Sequence, residues 1–530
     1  MTGMAEPAYQ FTPAEYPILP GGPYSPTHAP WRRVAYAAVA LVTGTSATLS
    51  NALISTNVPS LAGSLGEYAA TIQLLPAIYV AFNASGNLLL VKSRIHWGIP
   101  TVTQAVLGLN ALAALLQLVF PSLALAAVTR AANGLTAAAL IAVTIFYLLQ
   151  VFPPKLRPAA LVIGIGLTQL GIPVARLFPV EMLAQYHWRS LHLIELAIPL
   201  VVLATLQAFP LPPSNRGKAF ERLDFATMAL VIPAMVLIAL VLSGGRQYWW
   251  GDTSWLGWAL AAAVPLFAAA ILIEAHRSKP LLYLEWMGSA GILRFAAVAL
   301  LVRIALAEQT YGSVGLLTSG GLNNEQLRLL FVFVIGAMLL GIATAVLTLD
   351  PQRLRQQVIV AVLIIALGAW LDSHATNQTR PQELYLSQAL LGFGTTLFIG
   401  PALAYGFLRM LERGPAYFIS LVVLFSSTQN LGGLAGSALL GSYQVIATRS
   451  HLSALTEHLV AADPQVAARL QAQGVGPLFQ AVTREATILA FNDVFRFVAL
   501  IALATALFLC CLIVRDVWRA RRQISPEVSA

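Results

Sequence analysis

Apolar stretches of about 20 residues recur along this chain, and each is long enough to cross a hydrocarbon core of about 30 Å as a helix. Lipid offers no water to backbone N–H and C=O groups, so a crossing segment must satisfy them internally as a helix. The stretches fall near 34–54, 70–91, 99–119, 123–150, 158–180, 190–210, 224–243, 255–274, 292–313, 327–349, 357–371, 384–408, 416–444 and 492–514, which predicts fourteen crossings. Only 10% of the residues are charged and 58% are hydrophobic, against about 25% charged in soluble domains. An all-α membrane protein is therefore expected. The formal charge of +9 is dispersed over short loops, so it reflects membrane topology rather than a nucleic-acid partner. Cys510 and Cys511 are adjacent inside the last apolar stretch and suit neither a structural disulfide nor a metal site.

An even number of crossings puts both ends of the chain on one face. Twenty of the 31 Lys and Arg residues lie in segments of that face, seven lie on the other, and Arg130, Arg176, Arg303 and Arg496 lie inside helices. This bias places both termini in the cytoplasm. Residues 1–33 form a polar, Pro-rich leader without the apolar core of a cleavable signal, and it is expected to be largely disordered.

The sequence also repeats itself. Lys92-Ser93-Arg94 recurs as Arg353-Leu354-Arg355, Arg130 and Gly134 as Gln388 and Gly392, and Gln169-Leu170-Gly171 as Gln429-Asn430-Leu431-Gly432, all at offsets near 260. These echoes predict two six-helix halves in the same orientation, 34–210 and 292–514, with 211–291 supplying linkers and two inserted helices and 515–530 a cytoplasmic tail. The polar segment 445–491 is expected to face outward with short amphipathic helices at 450–460 and 466–473, either capping the last two helices or docking a periplasmic partner.

Ionisable groups within a crossing are costly, at roughly 2.5–3.5 kcal/mol near the helix centre, so each is a functional candidate. Arg130 stands mid-helix in Arg130-Ala-Ala-Asn133-Gly134, where a fixed cation can hold a carboxylate ionised. Glu308 is the candidate protonatable carboxylate facing a central cavity. Arg303 shares its helix about 140° away around the axis, so the two need not pair. Glu195 lies inside the sixth crossing, and Asp493 opens the last as a first-turn anion; Glu181, at the outer end of the fifth, reads as structural. Together Arg130, Glu308, Glu195 and Asp493 form the expected proton-coupling set. Arg303, Gln169, Tyr79, Tyr311 and Gln429 are the expected substrate-binding set. Gly164, Gly171, Pro173, Arg176 and Gly432 mark a gating interface, because small residues permit close helix approach and Pro173 bends its helix. No Gly-x-x-x-x-Gly-Lys-Ser/Thr loop is present, which argues against ATP drive. His96, His187 and His192 are scattered rather than clustered for a metal, and no cofactor is expected.

The pattern across 34–514 resembles the EmrB/QacA-type drug/proton antiporters, the fourteen-helix branch of the major facilitator superfamily. Arg130 to Gly134 is similar to the Arg-x-x-Gln-Gly motif of that family's fourth helix. Gly164 through Pro173 resembles the antiporter motif of the fifth, Trp188-Arg189 the pair before the sixth, and 484–495 the approach to the last helix. Two departures stand out. The loop after the second helix lacks the family's Asp in Gly86-Asn-Leu-Leu-Leu-Val-Lys92-Ser-Arg94, and Ser50 stands where the first helix normally carries an Asp. The resemblance implies a major facilitator fold in a bacterial inner membrane. It implies a proton-coupled exporter of amphipathic drugs or toxic organic compounds, with a small-molecule substrate, protons and lipid as partners. A periplasmic adaptor and an outer-membrane channel would complete a tripartite pump. The alternatives are an organic-acid importer or facilitator, with Arg303 and Arg130 holding a carboxylate, and a membrane sensor or scaffold that no longer transports. No enzymatic chemistry is expected.

Overall fold

The computed structural model describes residues 11–178, 188–460 and 462–524; Glu181 and His187 lie outside them. Fourteen of its helices are long and apolar enough to cross a membrane. In chain order they are α1 (Pro30–Thr56), α2 (Ala69–Trp97), α3 (Ile99–Val119), α4 (Leu123–Val151), α5 (Pro154–Ala175), α6 (Ser190–Ala208), α7 (Arg222–Gln247), α8 (Ser254–Ala275), α9 (Ala290–Ser319), α10 (Arg328–Leu347), α11 (Leu354–Asp372), α12 (Pro381–Leu411), α13 (Pro415–Glu457) and α14 (Val475–Arg519).

Neighbour relations repeat eight helices along. The second and fourth helices of the first half pack together, as do α10 and α12 of the second. Likewise α1 on α5 is matched by α9 on α13, α3 on α6 by α11 on α14, and α3 on α4 by α11 on α12. The two halves meet along two seams, α2 against α13 and α5 against α10 and α12. Between these seams the halves enclose a cavity. The inserted hairpin α7–α8 packs through α7 on both α2 and α13, and α8 stays peripheral.

Glycines set the closest helix approaches. A Cβ on Gly134 of α4 would lie 2.5 Å from the Tyr79 carbonyl oxygen of α2, and one on Gly171 of α5 would lie 2.5 Å from the Thr45 carbonyl oxygen of α1. Only a residue without a side chain permits such contact. Gly164 lies against Ile145 and Gly432 against the Arg303 side chain, while Pro173 is buried in α5.

On the terminal face, polar side chains tie the hairpin down. The Asp224 carboxylate accepts from Lys92 at 2.5 Å and from Arg277 at 2.8 Å. Glu274 pairs with Arg277 at 2.8 Å and accepts from the backbone N–H groups of Leu281 and Leu282 at 2.6 and 3.0 Å. Burial opposes the Arg277 charge, but Asp224, Glu274 and Glu221 together hold its pKa above the ordinary guanidinium value. Lys92, in the motif that lacks the expected Asp and that continues α2 here rather than forming a loop, thus finds its carboxylate on the inserted helix.

Two segments differ from expectation. Residues 11–29 are ordered against the bundle. Pro23 bridges Ser214, the Tyr24 N–H donates to the Pro213 carbonyl at 2.9 Å, and Gln150 of α4 donates to the Tyr24 carbonyl at 3.1 Å. Leu19, the apolar tip of this strap, is 5% exposed and shares a core with Phe146. The leader holds only a short helical turn, Pro13–Glu15, and borrows hydrogen bonds from the α6–α7 linker and α4. The segment 445–491 is the second. Rather than a separate cap, α13 runs on to Glu457 and α14 begins at Val475, with only Pro464–Gln473 as an independent helix. Polar residues can extend a crossing helix into water because the backbone ladder continues unbroken.

Candidate functional site

The cavity between the halves encloses about 850 Å³. The first half contributes Thr48 and Asn51 from α1, Tyr79, Asn83 and Asn87 from α2, and Gln169 from α5. The second contributes Arg303, Gln309 and Tyr311 from α9, Phe407 from α12, and Phe425, Ser426, Gln429 and Asn430 from α13. Amides and hydroxyls are thus set into an apolar wall, the composition that binds a greasy molecule with a few polar groups. Tyr79, Gln169, Arg303, Tyr311 and Gln429 all lie on this wall. Arg303 donates from Nε to the Gln429 carbonyl at 3.0 Å. Tyr79 donates from its hydroxyl to the Ala47 carbonyl at 3.0 Å, and the Arg246 guanidinium sits 4.6 Å from the Tyr311 ring centroid. Asn83 of α2 donates to Asn430 of α13 at 3.1 Å, joining the halves across one seam. At the opposite face Arg176 bonds Asn324 and lies over Phe331, joining them again. At the terminal face Leu19 closes the floor.

Three of the cavity residues are arginines, Arg94, Arg176 and Arg303, and no carboxylate lines it among the described residues. The acids lie behind its walls. Arg130 of α4 and Glu195 of α6 form an ion pair, each 2% exposed. Arg130 also donates to the Ser50 carbonyl of α1 at 3.4 Å. With its amide oriented to satisfy both neighbours, Asn133 accepts from Arg130 at 3.0 Å and donates to Asn110 of α3 at 2.9 Å. His192 contacts the other Glu195 oxygen at 3.1 Å. Four helices of the first half are thereby cross-linked around one buried charge pair.

A second buried group occupies the matching place in the other half. Glu308 of α9 is fully buried, and Asp372 at the end of α11 is buried too, both within reach of the one Gln388 side-chain amide. Gln388 of α12 donates to Glu308 at 3.2 Å and to Asp372 at 2.6 Å. Glu308 stands 258 residues after Ser50, the offset that separates Gln388 from Arg130. The first-helix acid that is missing at Ser50 is therefore present at its repeat.

This position corrects the expectation that Glu308 faces the central cavity; neither it nor Arg130 lines it. The reason for Glu308 is local. Residues Glu308–Gly312 form a π-turn, whose wider winding sends Gln309, Thr310 and Tyr311 to the cavity and Glu308 into the bundle. Gln309 donates back to the Gln388 carbonyl at 3.2 Å, so the acid pair and the cavity wall share a partner. Asp493 belongs to neither cluster. It pairs with His451 of α13 at 2.7 Å and Arg496 at 3.3 Å near the opposite face. Asp372, absent from the sequence-derived set, is the acid that the structure adds.

No protein-family model matches the chain. It is 23% identical over 402 residues to the colistin resistance protein EmrB of Acinetobacter baumannii, covering 72% of this chain and 76% of that one. Among solved structures, it aligns with a bacterial homologue of the human drug peptide transporters PepT1 and PepT2, with TM-score 0.56 and 13% identity over 92% of this chain and 99% of that one. It aligns also with the major facilitator proton:xylose symporter XylE, with TM-score 0.51 and 14% identity over 90% and 95%. Fourteen helices long and apolar enough to cross a membrane make this a multi-pass membrane protein, one that shares the fold of solved major facilitator transporters and is similar in sequence to EmrB.

Proposed function

We propose that the chain is a proton-coupled secondary active exporter of amphipathic organic compounds, working by alternating access in a bacterial inner membrane with both termini in the cytoplasm. The observation that carries this reading is the amide-studded cavity of about 850 Å³ with two buried carboxyls, Glu308 and Asp372, close behind its wall. Gain or loss of a proton at Glu308 and Asp372 changes what Gln388 must donate to, and Gln388 also holds Gln309 of the wall. The Gln388 side chain serves the acids and its main-chain carbonyl serves Gln309, so a shift of this one residue couples proton binding to the cavity wall. The Arg130–Glu195 pair supports coupling as the rigid core of the other half. The resistance named for the curated relative supports drug export. The helical extensions of α13 and α14 offer a surface for a periplasmic adaptor, and through it an outer-membrane channel.

The test is accumulation of a fluorescent amphipathic compound in proteoliposomes under an imposed pH gradient. The native protein concentrates the compound. Glu308→Gln and Asp372→Asn lose gradient-driven accumulation but still exchange labelled for unlabelled substrate. Full gradient-driven transport by both variants refutes the proton site. A second reading, transport of organic acids, is favoured by the three cavity arginines and the lack of a described facing carboxylate. Under it, Arg303→Gln weakens binding of carboxylate-bearing compounds and leaves neutral ones unaffected.

A further inference from the structure

A second cavity, of about 260 Å³, opens among α9, α11, α12 and α14 near the terminal face. It is separate from the transport cavity. Ile399 and Leu403 of α12 face the transport cavity, whereas Phe398 and Ala402 of the same helix face this one. Its rim carries four arginines, each from a different helix end: Arg294, Arg355, Arg409 and Arg515. Asp516 is the one carboxylate lining it among the described residues, and that side chain is already engaged by Arg355 at 2.6 Å and Arg515 at 3.0 Å. Arg355 and Arg409 both donate to the Tyr405 hydroxyl at 3.3 Å, and Arg409 also meets the Glu412 carboxylate at 3.0 Å. Arg294 meets no acid among the described residues. Behind this rim the walls are apolar, formed by Phe295, Val298, Val358, Phe398, Ala402 and Leu509.

A cationic rim over an apolar shaft at a membrane surface selects for one kind of molecule, an anion attached to a hydrocarbon chain. Free phosphate would leave the shaft empty, and a zwitterionic lipid would bring its own cation to the arginines. Basic pockets between membrane helices recognise acidic headgroups in this way, each arginine adding a roughly equal increment of affinity. We propose that this cavity binds an anionic phospholipid, its phosphate among Arg294, Arg355 and Arg409 and the start of one acyl chain along Phe295, Val358 and Phe398. This proposal does not depend on what the transport cavity carries.

The experiment is lipid retention by the purified full-length protein, measured by native mass spectrometry after exposure to equal amounts of phosphatidylglycerol and phosphatidylcholine. The proposal expects phosphatidylglycerol to be retained preferentially, and the Arg294→Gln/Arg409→Gln variant to bind it roughly thirtyfold more weakly. Gly291→Trp is the second variant. A Cβ at Gly291 meets nothing within 4 Å, so the indole can fill the cavity mouth without disturbing packing. It too is expected to lose the lipid, and it answers the question if the double variant does not fold. Equal retention of both lipids overturns the proposal, as does retention unchanged in the folded variants. Displacement of the lipid by millimolar inorganic phosphate alone also overturns it, since the site would then be one for free anions.

Discussion

Replacing either member of the Arg130–Glu195 pair should be costly, and the two costs should differ in a defined way. Both side chains are 2% exposed, so either one left alone is a buried charge without its counter-ion. Breaking such a pair from one side costs about 3–5 kcal/mol. Glu195→Met leaves the guanidinium with only neutral acceptors, the Ser50 carbonyl at 3.4 Å and the Asn133 amide oxygen at 3.0 Å. A guanidinium cannot shed its charge, so this variant takes the full cost. Arg130→Met leaves Glu195 beside His192, and a carboxylate can become neutral by taking a proton. Its cost should fall below that of Glu195→Met by about 1–2 kcal/mol. In the double variant no orphaned charge remains, and the summed single costs should exceed its cost by about 2 kcal/mol or more. Equilibrium unfolding of the purified protein in mixed micelles measures all three. Single costs that add to within about 0.5 kcal/mol would show two independent side chains and would refute the buried-pair reasoning.

Three further outcomes follow from particular contacts. Gly134→Val drives a side chain into the Tyr79 carbonyl and should destabilise the α2–α4 contact by about 1–3 kcal/mol, read as a lowered thermal midpoint in detergent; an unchanged midpoint contradicts the close approach. Leu19→Glu should release the strap, so that a cysteine introduced at Phe407, with Cys510 and Cys511 replaced by serine, reacts several-fold faster with an impermeant maleimide from the terminal face. Equal labelling would mean that Leu19 does not close the cavity. Asp224→Asn weakens the contacts to Lys92 and Arg277 and should cost about 1–3 kcal/mol, whereas Lys92→Met, which removes the less buried partner, should cost less. A reversed order in unfolding measurements would place the anchor elsewhere.

The fourteen crossings were legible because lipid forbids irregular backbone, which leaves hydropathy and length to dictate the helices. The cavity residues Tyr79, Gln169, Arg303, Tyr311 and Gln429 stood out as polar or aromatic groups within apolar runs. Asp372 did not. It ends α11, and an acid at the end of a span reads as an interfacial residue until its fold partners are known. The side of α9 that Glu308 occupies was hidden as well, because regular 3.6-residue winding does not anticipate a π-turn. The strap failed for the opposite reason. Proline and polar residues at 11–29 signal disorder by composition, and tertiary contacts with 213–214, Gln150 and the core around Phe146 order them. At 445–491 polarity concealed that the flanking helices continue well beyond their apolar stretches.

The inserted hairpin has a mechanical consequence. Its first helix is fastened to α2 near both ends, through Lys92–Asp224 on one face and through Ser243 and Gln247 to Gln73 on the other. Its contacts with the other half are of a slipperier sort: Arg246 stacked on the Tyr311 ring, and the Trp250 indole N–H on the Ser442 hydroxyl at 2.8 Å. If the halves rock as proposed, these two fastenings would carry α7 with the first half, and its seat against the second, Arg246 on the Tyr311 ring included, is where the sliding would fall.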